Sequence, residues 1–200
     1  TGLNQYHKGF ELELAYQPMR LVRLDAAMSY GKWIYTDDAE GTYKDVEADT
    51  TADYTYAVKD LMVGDMPQTI YSITGSIFPI KGLTIAATLN YYDRFWANWD
   101  PTNRKIIPGV DPDREQNWQV PSYMKIDLHA KYDIPIHFGN IGLQAYLHVF
   151  NALDAIYVQD AVDNSEYNAF TGDGKNHAAD DAEVYIGMPR RINLGLNLFF

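Results

Sequence analysis

The sequence predicts an all-β protein, a transmembrane antiparallel β-barrel to which these residues contribute seven C-terminal strands and whose full cylinder is larger. Three observations predict it. Seven stretches of roughly ten residues alternate apolar with polar side chains, the period of a strand with two unlike faces. They are joined in turn by short Pro- or Gly-containing breaks and by polar segments of roughly twenty to thirty residues, whereas a soluble sandwich would have shorter strands and more uniform connections. The number of stretches is odd, and a single-chain bacterial barrel normally has an even number and leaves no strand edge in hydrocarbon.

The first stretch, Lys8 to Gln17, sets Phe10, Leu12, Leu14 and Tyr16 on one face and Glu11, Glu13 and Ala15 on the other. After the break PMR, the second sets Val22, Leu24, Ala26, Met28 and Tyr30 against Arg23, Asp25, Ala27 and Ser29, so the two read as a hairpin. A long acidic segment from about Thr36 to Gln68 leads to the third, where Tyr71, Ile73 and Ile77 alternate with Ser72, Thr74 and Ser76. The break PIKG introduces the fourth, with Leu83, Ile85, Ala87, Leu89 and Tyr91 on one side. A second long segment runs from about Trp96 to Pro121. The fifth then sets Met124, Ile126, Leu128, Ala130 and Tyr132 against Lys125, Asp127, His129 and Lys131. The break PIHFGN precedes the sixth, with Leu143, Ala145, Leu147 and Val149 against Gln144, Tyr146 and His148. A third long segment, about Gln159 to Ala182, leads to the seventh, where Ile192, Leu194, Leu196, Leu198 and Phe200 oppose Arg191, Asn193, Gly195 and Asn197.

Composition bounds the function classes. With 200 residues, 46% hydrophobic and 14% aromatic, the chain can bury apolar surface. It has no run near the roughly 18 apolar residues of a membrane-spanning helix, but a barrel strand needs only every second residue in lipid and about 9 to 11 residues to cross. There is no cysteine, so neither disulfides nor thiolate metal sites are available. A net charge of -11 argues against a nucleic-acid partner. Tyr30, Trp33, Tyr35, Tyr91, Tyr92, Phe95 and Trp96 gather beside the long loops, and Tyr16, Phe78, Tyr132, Phe199 and Phe200 beside the short turns; two such belts suit the two membrane interfaces. The chain begins at Thr1 without Met or a leader-like run, so the expectation is a removed signal peptide or a missing N-terminal part.

The pieces HKGFELELAYQP (7–18), GDMPQTIYSITGSIFPIKGLTIAATLNYYDR (64–94), VPSYMKIDLHAKYDI (120–134), LHVFNALDAIYV (147–158) and the closing IGMPRRINLGLNLFF follow in an order that resembles the C-terminal part of TonB-dependent outer-membrane receptors. The resemblance covers the strands and leaves out the three long loops. It implies a parent barrel of about 22 strands around an N-terminal plug, of which residues 1–200 supply the last seven strands and lack the plug and the TonB-binding segment. It implies import of a scarce nutrient, whether iron chelate, haem, cobalamin or glycan, across the outer membrane of a Gram-negative bacterium. The implied partners are outer-membrane lipid, TonB through the missing part, the barrel assembly machinery reading Phe199 and Phe200 as the assembly signal, and in some members a surface lipoprotein. The rival expectation is a passive porin-like or structural barrel. A barrel enzyme ranks third, since no nucleophile with its base and acid can be assembled; no catalytic residue, cofactor or metal is expected.

Within this reading Glu11, Glu13, Arg23, Asp25, Lys125, Asp127, His129, Lys131 and Arg191 face the lumen, most of them as solvated or ion-paired wall residues. His129 and His148 point inward from different strands without an evident third metal ligand. Trp96, Trp99 and Trp118, in or beside the second long segment, are the substrate-contact candidates, because flat indoles stack on sugars or cyclic ligands. Asp160, Asp163, Asp173, Asp180, Asp181 and Glu183 make the third segment acidic but miss the regular calcium-loop spacing.

Overall fold

A computed structural model describes residues 3–45, 50–139, 141–168 and 175–199. They hold the strands β1 (Gln5–Met19), β2 (Val22–Tyr35), β3 (Ala39–Asp45), β4 (Thr50–Tyr56), β5 (Thr69–Ile77), β6 (Leu83–Asp93), β7 (Phe95–Trp96), β8 (Gln119–Val120), β9 (Tyr123–Phe138), β10 (Ile141–Phe150), β11 (Val158–Val162), β12 (Glu183–Ile186) and β13 (Arg191–Phe199). Among the described residues no helix is long and apolar enough to cross a membrane, which says nothing of crossing by strands.

The seven expected stretches form one antiparallel sheet in the order β1-β2-β5-β6-β9-β10-β13, each paired with its neighbours in the chain's own sequence of long strands. The sheet is all-β and open: β1 and β13 each pair on one side only, so it does not close on itself. The short connections between β1 and β2, β5 and β6, and β9 and β10 lie at one end, and all three long connections lie at the other. The strands of 15, 14 and 16 residues at β1, β2 and β9 overrun the sequence estimate, because their alternation continues into segments read as break or loop.

Register converts the alternation into two continuous faces. One cross-strand row runs Tyr16, Leu24, Gly75, Ala87, Leu128, Val149, Ile192, apolar on all seven strands. The row one residue over, on the other face, holds Arg23, Ser76, Ala86, His129, His148 and Asn193. A third row starts at Leu12 in the middle of β1 and has reached Met124, the second residue of β9, four strands later. Such drift is the stagger of a tilted sheet.

Among the described residues nothing covers the apolar face. Leu12 is 47%, Ile85 40%, Leu128 42% and Leu194 78% exposed, so these side chains do not meet in a dry interior. The buried apolar residues lie instead among the long connections and the strand ends beside them. One cluster joins Tyr35, Ala39, Val58 and Leu61 and is flanked by Tyr56, Val63 and Trp99. A second joins Phe95, Ala97, Val120 and Ala161 and is flanked by Trp118 and Val158.

Those connections carry strands that alternation over longer windows does not reveal. β3 and β4 pair over their full length, with Thr42 Oγ1 donating to Asp53 Oδ1 at 2.7 Å. β11 pairs with β12, and β7 with β8. These strands are only two to seven residues long, too short for a period of two to stand out, although their backbones pair.

Candidate functional site

The long connections meet above one end of the sheet. Ala57 N–H donates to Arg104 O at 2.7 Å and Ile106 N–H to Thr55 O at 2.8 Å, joining the first segment to the second. Asn98 N–H donates to Ala161 O at 2.8 Å and Asn98 O accepts from Asp163 N–H at 2.7 Å, joining the second to the third. Backbone bonds of this kind bring in segments that share no sequence pattern.

Arg104 sits at the centre of this cap, with 1% of its side chain exposed. Its guanidinium meets Asp113 Oδ1 at 3.0 Å and Asp163 Oδ2 at 3.4 Å, and donates to Asn117 Oδ1 at 3.0 Å. His177 places Nδ1 2.6 Å from Asp163 Oδ2 and Nε2 3.0 Å from Asp113 Oδ2. Asp163 also accepts from Trp118 N–H at 3.0 Å. A buried cation is tolerable only when surrounded in this way. At the rim, Arg114 donates to both oxygens of Asp38, at 2.9 and 2.7 Å, and this holds the Asp38 carboxyl at a pKa of about 2.

Beneath the cap, on the polar face of the sheet, lies a cavity of about 400 Å³ whose lining includes Tyr92, Tyr123, Lys125, Asp127, Phe150, Tyr157 and Arg191. Pro67 from the first long segment and Gln159, Met188 and Pro189 from the third overhang it. Tyr92, Tyr123 and Tyr157 form a stack, with ring centroids 4.8 and 4.6 Å apart. Tyr157 reaches that stack because Gly187 N–H donates to its carbonyl at 2.8 Å and a Cβ at position 187 would meet the Tyr157 ring at 2.0 Å. Lys125 Nζ lies 4.9 Å from the Tyr157 ring centre and 5.5 Å from that of Tyr92, and the Arg191 guanidinium lies 5.2 Å from that of Phe150. These are cation–π distances.

Other hollows are less equipped. One of about 830 Å³ at the short-turn end is lined by Ile80, Gly82, Pro135, Leu143 and Phe199, and its carboxylate, Asp133, already accepts from Gln144 Nε2. Another, of about 350 Å³, is lined mostly by small and apolar residues, among them Gly75, Ala87, Leu128 and Leu147. Volume alone favours the first; converging charge and ring chemistry favours the cavity under the loops.

The sequence candidates fall in different places. Trp96 is buried, with Arg94 5.8 Å from its ring centre. Trp99 stacks obliquely on Tyr56 at 5.5 Å, and Trp118 packs against the second buried cluster; none of the three lines the tyrosine cavity. Phe199 is exposed at 48%, and Phe200 and Asp173 lie outside the described residues. His129 and His148 do meet, Nδ1 to Nδ1 at 2.7 Å. Among the described residues no group of three or more His, Asp or Glu is placed to hold a metal ion.

Tyr92, Tyr123, Tyr157 and Phe150 were missed as site residues. The signal was parity: adjacent Tyr91 and Tyr92 must face opposite ways in a strand, so the two cannot share one belt. No protein-family model matches the chain, and no curated protein matches its sequence.

Proposed function

We propose that this chain is the C-terminal portion of an outer-membrane receptor of the TonB-dependent kind, with β1 and β13 pairing to further strands of a larger barrel and the polar face lining its lumen. The observation that carries the reading is the uninterrupted apolar face across seven registered strands, exposed along its whole width and backed by a face of charged and hydroxyl side chains. An apolar patch of that extent on a soluble chain would aggregate or be covered. In hydrocarbon it is the ordinary exterior, and open edges then require partners because lipid offers no hydrogen bonds. The folded loop cap with a ligand-sized cavity below it favours a receptor that recognises a nutrient over a passive pore.

The test uses the full-length gene product. Membrane fractionation and unboiled gel electrophoresis are expected to give an outer-membrane protein with heat-modifiable mobility, and uptake in intact cells is expected to stop when the proton-motive force is collapsed. Recovery in the soluble fraction would overturn the membrane reading. Solute flux indifferent to the proton-motive force would leave the porin-like alternative.

A further inference from the structure

Resting on that reading, we infer that the tyrosine cavity takes an anionic ligand bearing a ring or other flat apolar face, with Lys125 and Arg191 meeting its charge. Three arginines elsewhere in the chain are held by carboxylates. Arg23 is spent on Asp25 by a two-pronged contact, Arg104 on Asp113 and Asp163, and Arg114 on Asp38. Among the described residues Lys125 and Arg191 form no ion pair, as holds for most of the lysines and arginines, but these two line one cavity beside the stacked rings. Asp127, a carboxylate of the cavity lining, accepts from Asn151 N–H at 2.7 Å.

Both cations rest instead against rings: Lys125 against Tyr92 and Tyr157, Arg191 against Phe150. A ring face orients a cation and strips some of its water without neutralising it, so the charge stays available to an incoming anion. The stacked tyrosines supply rigid apolar area with few torsions to freeze on binding. A cavity of about 400 Å³ is within the size of small-molecule sites. Neutral polyols are the poorer match, because they would leave both cations without a counter-charge, and a cationic ligand would meet two like charges.

The experiment titrates the detergent-solubilised full-length protein by calorimetry with 2-naphthoate and, in parallel, with its neutral counterpart 2-naphthamide. The expected result is that naphthoate binds roughly tenfold or more tightly than the amide, that Lys125→Gln and Arg191→Gln each weaken naphthoate binding by about tenfold while leaving the amide unchanged, and that added salt weakens the acid selectively. Equal affinity for acid and amide, no heat with naphthoate, or Lys125→Gln without effect would each overturn the assignment. Heat-modifiable migration of every preparation is read alongside. A barrel that ignores naphthoate sinks this inference and spares the receptor reading; a protein with no barrel behaviour sinks both.

Discussion

Asn151 occupies the point where β10 leaves the sheet, in left-handed backbone at φ 49°. Its side chain donates to Ala155 O at 2.9 Å and Met188 O at 3.2 Å and accepts from Ala155 N–H at 2.9 Å, so it ties the exit of one strand to the approach of the next. Asn151→Ala loses three hydrogen bonds and a residue that tolerates this backbone, a cost of about 2–4 kcal/mol. Asn151→Gly keeps the conformational freedom and should recover roughly 1 kcal/mol of it. The temperature at which the unboiled full-length protein loses its fast-migrating band measures both.

Asp38 offers a pH-dependent contact at the same scale. Its carboxyl is lowered from 3.8 to about 2, chiefly by the Arg114 hydrogen bond. The contribution is therefore fully present above about pH 4 and lost as pH falls toward 2. Both side chains are partly exposed, so screening limits the pair to about 1 kcal/mol or less. Pepsin cleavage between residues 105 and 116 is expected to rise as pH drops from 4 to 2, and Arg114→Gln should flatten that dependence.

At the scale of elements, the loops are a folded unit whose centre is charged. Arg104→Met removes the guanidinium from between buried Asp163 and partly exposed Asp113 and should loosen the cap by roughly 3–5 kcal/mol, because the buried carboxylate stays behind without it. Adding Asp163→Asn to that variant should restore much of the loss. Proteinase K nicking of residues 97–122 and 151–190 in intact cells reads the effect, and nicking unchanged by Arg104→Met would deny the network its role. None of this was visible as an element in the sequence. Arg104, Asp113, Asp163 and His177 lie in segments that read as solvated polar loop, and a charged residue looks the same in a sequence whether water or a carboxylate surrounds it. Trp96, Trp99 and Trp118 illustrate the same ambiguity, since an indole packed under a loop and one awaiting a ligand have identical local signatures.

For the whole molecule, the two faces of the sheet make opposite demands. Leu128→Arg, on the apolar row, should cost about 2–4 kcal/mol if that row lies in hydrocarbon. Ser76→Arg, one residue over on the polar face, should be nearly neutral. The yield of heat-modifiable barrel in outer membranes compares them, and equal tolerance of both would deny that the apolar face contacts lipid. The seven strands, their order and which side chains share a face were all legible, and the paired register bears this out from Tyr16 across to Ile192.

That much the sequence determined by itself, because a strand's side-chain period of two is a local property that any ten residues display. The tertiary structure alone decided that Tyr92, Lys125, Tyr157 and Arg191 surround one cavity and that Arg104 meets Asp163. The pairing of β6, β9, β10 and β13 brings in Tyr92, Lys125 and Arg191, while backbone bonds between segments far apart in the chain bring in the loop residues, and no period, spacing or composition records which loop lies over which strand.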